Sequence, residues 1–504
     1  MKPPHDHAAA PPADEPPGSG SSPRERPSLH RLELLLIVLV AANLSFMAWA
    51  YGGVDLWSQR IGAGLALVAL VVSVLPRPSS LEPGRAMRQR LVRFPGFWAG
   101  LLLFAWSGMQ ALNPAFDYRA AGSEWWLDHR SFVAWLPAGM NVPFAESSPL
   151  RTLLIWIPAW ATACALWTGL TGRRGAVALL ALLVVNAFAL ACFGLLQRAH
   201  GANRIFGLRS VETGDFFASL IYKNHAAVFF LLFAFVALAL TVHAAWGNRR
   251  HPGRRDPAIL HLFFALTLML AVGLTYSLSG VVLLLGSLAL VVPLTAVRFA
   301  RAFPARTGLV PSLLTGAVLL VLLGAAGTAV GSAKLQERVR VKLAGEGYQS
   351  VHSRWLASRQ GWQMFADRWL LGWGAGCFRY GFTKYQHAEP ELTQRGDTRF
   401  RWEHLHNDWL EFLIEFGVLG TLPFILLTGW WIRQTLQWRL WQQPAIYPVL
   451  VALGALVLEA LGDFPLQNPS VLLSACALPP LLLRWGQSAL RHHPDLIAQS
   501  KSPG

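Results

Sequence analysis

The 504-residue chain is 54% hydrophobic and only 14% charged, with a formal net charge of +16. That balance excludes an ordinary soluble globular enzyme and leaves a chain that crosses a bilayer many times. It also argues against a nucleic-acid partner, because the basic residues are divided among connections between apolar segments and are not gathered on one soluble domain.

Residues 1–30 are rich in Pro, Ser and Ala with hardly a large apolar side chain, and they read as a disordered tail. The apolar segment Glu33 to Tyr51 follows without a small-residue cleavage site before it and is expected to be a retained span. About twelve segments can cross hydrocarbon as helices at ~1.5 Å per residue. They fall near 33–51, 61–76, 97–112, 151–170, 175–196, 225–246, 259–277, 280–297, 309–331, 411–431, 446–462 and 468–484. The expected class is therefore an all-α polytopic membrane protein with a large outer loop, 332–410, inside a membrane domain spanning 31–484, followed by a tail at 485–504.

Alternate connections are basic: RPSSLEPGRAMRQRLVRF, TGRRG, GNRRHPGRR, RFARAFPAR and RQTLQWR. The short connections of the other parity, YGGVDLWSQR, SLSG and DFPLQ, hold Arg60 alone. The positive-inside rule then puts both termini in the cytoplasm. Three long segments fall outside, 113–150, 197–224 and 332–410, and loops of that length usually carry function. Cys164, Cys192, Cys377 and Cys476 lack metal-site spacing and form no disulfide framework.

The second long segment reaches the outer face with Arg204, Arg209 and Lys223, then Asn224 and His225 at a helix start. Asn224 is either a cap or a site residue, and Lys223 either snorkels or meets an anion. In the largest loop, Trp355, Trp362, Phe365 and Trp369 recur at helical spacing beside Arg354, Arg359 and Arg368. That stripe is expected in a core or at the headgroup level, where indoles are favoured. Arg354 offers a permanent charge and a planar fork suited to phosphate oxygens.

EHLHNDWLEFLIEFGVLG, 403–420, places titratable groups at the mouth of a span. His404 and His406 share a face only if their lead-in is extended, which weakens a metal site, and no metal or cofactor is expected. Asn407 and Asp408 suit a helix start. His406 can take a proton from a hydroxyl near neutral pH. Glu415, deeper, should face the protein interior.

HLHNDWLEFLIEFGVLG resembles the His-Asn-x-x-Leu...Glu-x-Gly-x-x-Gly signature of the O-antigen ligase and O-antigen polymerase superfamily. SRWLASRQGWQMFADRWLLGWGAGCF is similar to the Arg-led, glycine-rich segment that precedes it there, and YKNHAAVF to an Asn-basic-Asn-His segment. The resemblance implies a GT-C-like membrane fold in a bacterial inner membrane. It also implies an inverting, metal-independent glycosyltransferase that moves glycan from an undecaprenyl-diphosphate donor to a glycan or lipid A core acceptor at the periplasmic face. By motif match, Arg354 is the arginine that engages the diphosphate, and His406 assists the acceptor or binds phosphate. His404, Asn407 and Asn224 would support them. Gly280 departs from the pattern, standing in TYSLSGVV where ligases carry an arginine; Lys223, Arg209 or Arg359 would then supply the second positive charge. A small-anion transporter and a non-catalytic component of a polysaccharide assembly system are the competing classes.

Overall fold

A computed structural model describes residues 29–77, 84–122, 124–211, 216–248, 257–302, 346–395, 398–399 and 401–491. The expected span at 309–331 and most of both tails, 1–28 and 492–504, lie outside the described residues; the tail expected from 485 begins instead inside the last helix, which continues to Arg491. The other eleven expected spans each coincide with a helix. These are α1 (Arg31–Trp49), α2 (Leu56–Val74), α4 (Pro95–Leu112), α5 (Pro149–Gly169), α6 (Arg173–Ala199), α7 (Lys223–Asn248), α8 (Ala258–Leu274), α9 (Leu278–Ala302), α11 (Asp408–Gln437), α12 (Tyr447–Glu459) and α13 (Pro469–Arg491). By length and apolarity, 7 of the described helices can each cross a membrane unaided. Helix α8 is shorter, and α12 is a 13-residue helix.

Two elements were not expected. The basic connection after α2 contains α3 (Gly84–Val92), which sets Met87 into the interior. The segment after α4 forms a three-stranded sheet in the order β2-β1-β3, from β1 (Pro114–Ala121), β2 (Glu124–His129) and β3 (Gly139–Asn141). Hairpin β1–β2 is antiparallel, and β3 returns parallel to β1. The class is thus helical with a small β element on one end.

Helix α7 is the axis. Every residue from Ala226 to Leu240 is buried, as expected of a helix that is apolar all round and enclosed by neighbours. Helices α6, α8, α9 and α12 pack against it, so the position of its first turn, Lys223–Asn224–His225, is fixed by the bundle. The polar contacts at the two ends keep the alternation read from the connections. Arg77 pairs with Glu33 at 3.9 Å, and the Thr171 hydroxyl donates to Glu33 at 2.7 Å, at one end. At the other end Arg209 reaches Asp55 and Asn224 reaches Asp463.

The large loop begins as α10 (Glu346–Asp367), which packs on α11. Trp355, Trp362 and Trp369 point outward, 56%, 54% and 53% exposed, while Met364 and Leu356 turn inward. The three indoles of the stripe are therefore surface, while Phe365 packs against the core. The glycine-rich stretch after α10 then docks into a break in α11. Gly417 has φ +67 and ψ 178, which interrupts the helix and frees backbone groups on either side. Trp373 N–H donates to Ile414 at 2.9 Å, Gly374 N–H to Glu415 at 3.0 Å, and Val418 N–H to Trp369 at 2.8 Å. The backbones approach so closely that a Cβ on Gly372 would lie 2.3 Å from the Glu415 carbonyl oxygen, and one on Gly417 2.5 Å from that of Leu370. Only glycine fits either position, because both also have positive φ.

Gly417→Ala combines a left-handed backbone with a clash against main chain, and should cost on the order of 2–4 kcal/mol. Thermal unfolding of the detergent-solubilised variant, followed by tryptophan emission, should show a clear drop in midpoint. An unchanged midpoint would mean that the helix break is not held by this junction.

Candidate functional site at the outer end of the bundle

Four stretches meet where α7, α11 and α12 end and begin. The lead-in to α11 is anchored first: Asp408 N–H donates to Ala460 O at 2.9 Å, and Asn407 Oδ1 accepts from Leu410 N–H at 3.1 Å as an ordinary N-cap. Asn407 is thus occupied structurally. His406 just before it has φ +57, an uncommon conformation for a non-glycine residue, costing ~1–2 kcal/mol. Fixed on both sides, it turns its ring back toward the α12–α13 connection.

That connection supplies the centre, Asp463, whose carboxylate is 2% exposed. Its Oδ1 accepts from His406 Nδ1 at 3.2 Å and from Phe464 N–H at 2.9 Å. Its Oδ2 accepts from the Asn224 amide and from the Tyr222 hydroxyl at 3.3 Å, and Arg354 stands 3.9 Å away. A second donor nitrogen of Arg354 bonds Gly462 O at 2.8 Å. Burial by itself would raise the Asp463 carboxyl; the hydrogen bond and charge of His406, with the charge of Arg354, outweigh it and hold it well below the usual carboxylate range. A carboxylate only accepts, so His406 Nδ1 carries the proton of this bond, and in the neutral ring Nε2 offers a lone pair.

Phe464 joins this cluster to a second one. His404 lies parallel to its ring at 4.6 Å and 20°, and His406 meets it edge-on at 4.8 Å and 78°. Tyr222 stacks at 5.3 Å and His225 packs edge-on at 5.0 Å. The two histidines of the HLH stretch therefore do turn to one feature, yet each has its own carboxylate. His404 Nδ1 donates to Glu411 Oε1 at 2.9 Å, and Glu411 Oε2 accepts from Leu405 N–H at 2.7 Å. Glu415 is buried as expected and accepts from Phe378 N–H at 3.3 Å.

The structure thus brings together Arg354, His406, Asn224 and, through Phe464, His404. Lys223 immediately precedes Asn224 at the first turn of α7. Arg209 is engaged elsewhere, with both oxygens of Asp55 at 3.1 and 2.9 Å and its guanidinium 5.0 Å over the Tyr51 ring. Arg359 pairs with Glu389 at 3.9 Å and is largely exposed. Among the described residues no group of three or more His, Cys, Asp and Glu is placed to hold a metal ion. Gly280 has a packing reason: a Cβ there would lie 2.5 Å from Ala227 Cβ, so α9 closes on α7 where a longer side chain would part them. Beside it, Ser279 donates to Glu459 Oε1 at 2.7 Å.

Sequence reasoning missed Asp463, Phe464 and Tyr222. The available signal was slight: one acid in a five-residue connection, DFPLQ, on the same face as the cationic loop.

Replacing Asp463 by Asn should destabilise the protein by on the order of 2 kcal/mol at neutral pH, the worth of hydrogen bonds to a charged acceptor. Since the carboxyl is depressed in the folded state, its contribution is full above the ordinary carboxylate range and shrinks as pH falls below about 4. Melting midpoints of wild type and Asp463→Asn from pH 7 to pH 3 should converge; a gap that widens on acidification would contradict the arrangement.

Among curated proteins none matches the chain. Residues 262–425 match the family described as O-Antigen ligase, a span that takes in Gly280, Arg354, His404, His406 and Gly417 but neither Asn224 nor Asp463. This match over 262–425, about a third of the chain, supports a place in the O-antigen ligase and polymerase superfamily.

Proposed function

We propose that this protein is a multi-pass membrane glycosyltransferase of the bacterial inner membrane that transfers glycan from an undecaprenyl-diphosphate donor to an acceptor hydroxyl at the periplasmic face. The observation that carries this reading is the convergence on Asp463 of Arg354 from α10, His406 from the α11 lead-in and Asn224 from α7. A guanidinium, an imidazole and an amide from distant stretches meet at the end of a membrane-spanning helix. The reacting bond of a lipid-linked donor would be held at that level, since its lipid cannot leave the bilayer. The exposed Trp355, Trp362 and Trp369 favour the same depth, because indole partitions to the headgroup region.

The chemistry follows from the contacts. As the anomeric C–O bond breaks, its electron pair and the growing negative charge pass to the diphosphate. Arg354 spends one contact on Gly462 and one on Asp463 and keeps further N–H donors for phosphate oxygens. Lys223 and the dipole end of α7 add positive potential at the same end. His406 Nε2 takes the proton of the acceptor hydroxyl as its oxygen bonds the anomeric carbon. Asp463 keeps the proton on Nδ1 and stabilises the imidazolium that forms, the role of the carboxylate in imidazole–carboxylate pairs generally. A single displacement with these groups needs no covalent sugar–protein bond and inverts the anomeric centre. Arg209 and Arg359, committed to Asp55 and Glu389, act in this reading at most through the field of the outer face.

With purified protein in nanodiscs and a defined undecaprenyl-diphosphate glycan, products read by mass spectrometry, Arg354→Ala and His406→Ala should each lower transfer by about 10²–10³-fold. Full transfer by both variants in folded form would refute the assignment.

A further inference from the structure

On the far side of His404 from the Asp463 cluster, the outer ends of α5 and α11 enclose a cleft with about 750 Å³ of empty space, its open mouth included. Its polar lining is unusual in composition: Glu403, Asp408, Glu411 and Glu415 with His404, against Arg379 as the one cation. Arg379 itself pairs with Glu403 at 3.8 Å. The rest is largely aromatic, including Trp156 and Trp409.

With Ser147, Thr152 and Gln467 completing the polar lining, carboxyl groups outnumber cations there. Glu411 is already supplied by His404, Leu405 and Gln467 and serves to fix the imidazole ring. Asp408 is different. It is 4% exposed, its Oδ2 accepts from Leu466 N–H at 2.8 Å, and its Oδ1 is buried without a hydrogen-bond partner. A buried carboxyl oxygen left unpaired costs ~1–3 kcal/mol, so a ligand hydroxyl that pairs with it gains that amount back.

We propose that this cleft is a glycan subsite that takes a neutral, hydroxyl-rich sugar ring, with Asp408 and His404 hydrogen-bonding its hydroxyls and the indoles covering its C–H faces. The charge decides the class. A uronic acid or phosphorylated sugar would set its anion among four acidic side chains where the one arginine, Arg379, is already paired with Glu403, whereas neutral hydroxyls hydrogen-bond there at no charge cost. An aromatic wall and a few convergent polar groups are also what a small-ligand site requires. The ring can belong to the acceptor or to the donor's own chain, and in either case the inference rests on the transferase reading for its purpose but not for its test.

The test uses full-length protein in nanodiscs and saturation-transfer NMR with neutral oligosaccharides of glucose, galactose, mannose and N-acetylglucosamine, set against oligogalacturonate. At least one neutral series should bind, oligogalacturonate should be weaker by about tenfold, and Asp408→Asn and Trp409→Phe should each reduce the neutral signal about fivefold or more. Asp408→Asn is isosteric and Trp409→Phe keeps an aromatic ring while losing the indole N–H bond to Val457 O, and the melting midpoints of both report folding independently. Binding of no neutral series, equal or stronger binding of oligogalacturonate, or indifference to both variants would overturn the subsite. In the transfer assay, a raised acceptor KM with unchanged donor KM in Trp409→Phe assigns the ring to the acceptor, and the reverse assigns it to the donor. Saccharide binding without any transfer would defeat the transferase reading alone; transfer without saccharide binding would defeat this subsite alone.

Discussion

A single buried carboxylate, Asp463, holds one end of the helix bundle together. It has donors on it from the α7 start, the α11 lead-in, its own connection and α10. These are separated by more than two hundred residues of chain, and nothing local requires them to meet. A charged group taken from water must be compensated, and here several partial donors and two basic side chains do so together. The same compensation leaves Arg354 and His406 facing one place with their geometry set in advance. Preorganisation of this kind is what makes a cation effective on developing charge, because no reorganisation is needed as the bond breaks.

The scaffold behind Asp463 is built from two structural devices. One is the enclosure of α7, which cannot tilt or slide without opening contacts on every side, and so delivers Asn224 and Lys223 to a fixed height. The other is the junction at Gly372 and Gly417, where a broken helix and a loop exchange backbone hydrogen bonds. Unsatisfied backbone groups are expensive in a low-dielectric setting, so the break in α11 is tolerable only because the loop after α10 fills it. That repair also ties the first half of α11, with Glu411 and Glu415, to the end of α10, whose earlier turn carries Arg354. The glycine-rich signature is thereby explained as close approach of main chain to main chain.

Two imidazole–carboxylate pairs stand on either side of Phe464, and they differ in charge. The His406–Asp463 pair has a guanidinium beside it, whereas the His404–Glu411 pair opens on a cleft dominated by acids. Similar chemistry placed in opposite potentials suits opposite partners, an anionic leaving group on one side and an uncharged hydroxyl donor on the other. The absent arginine at Gly280 fits this division: α9 packs directly on α7 there, and the polar group offered by that turn is Ser279, held by Glu459.

Much of the fold was legible in the chain itself. Hydrocarbon length and apolar runs located eleven of the helices within a few residues, and the alternation of basic connections matched the way polar groups divide between the two ends of the bundle. Local signals also singled out Arg354 and His406, which meet at Asp463, and the cap at Asn407, because each is a matter of residue type and near neighbours. The sheet after α4 and helix α3 escaped, since short elements are stabilised by what they pack on more than by their own pattern. What only the tertiary structure decided was partnership: that Asp463, an unremarked acid in a short connection, pairs with Arg354, that Arg209 belongs to Asp55, and that His404 and His406 answer to different carboxylates. Ion pairing and desolvation depend on which distant groups share a few ångströms of low-dielectric space, and one-dimensional order does not contain that distance.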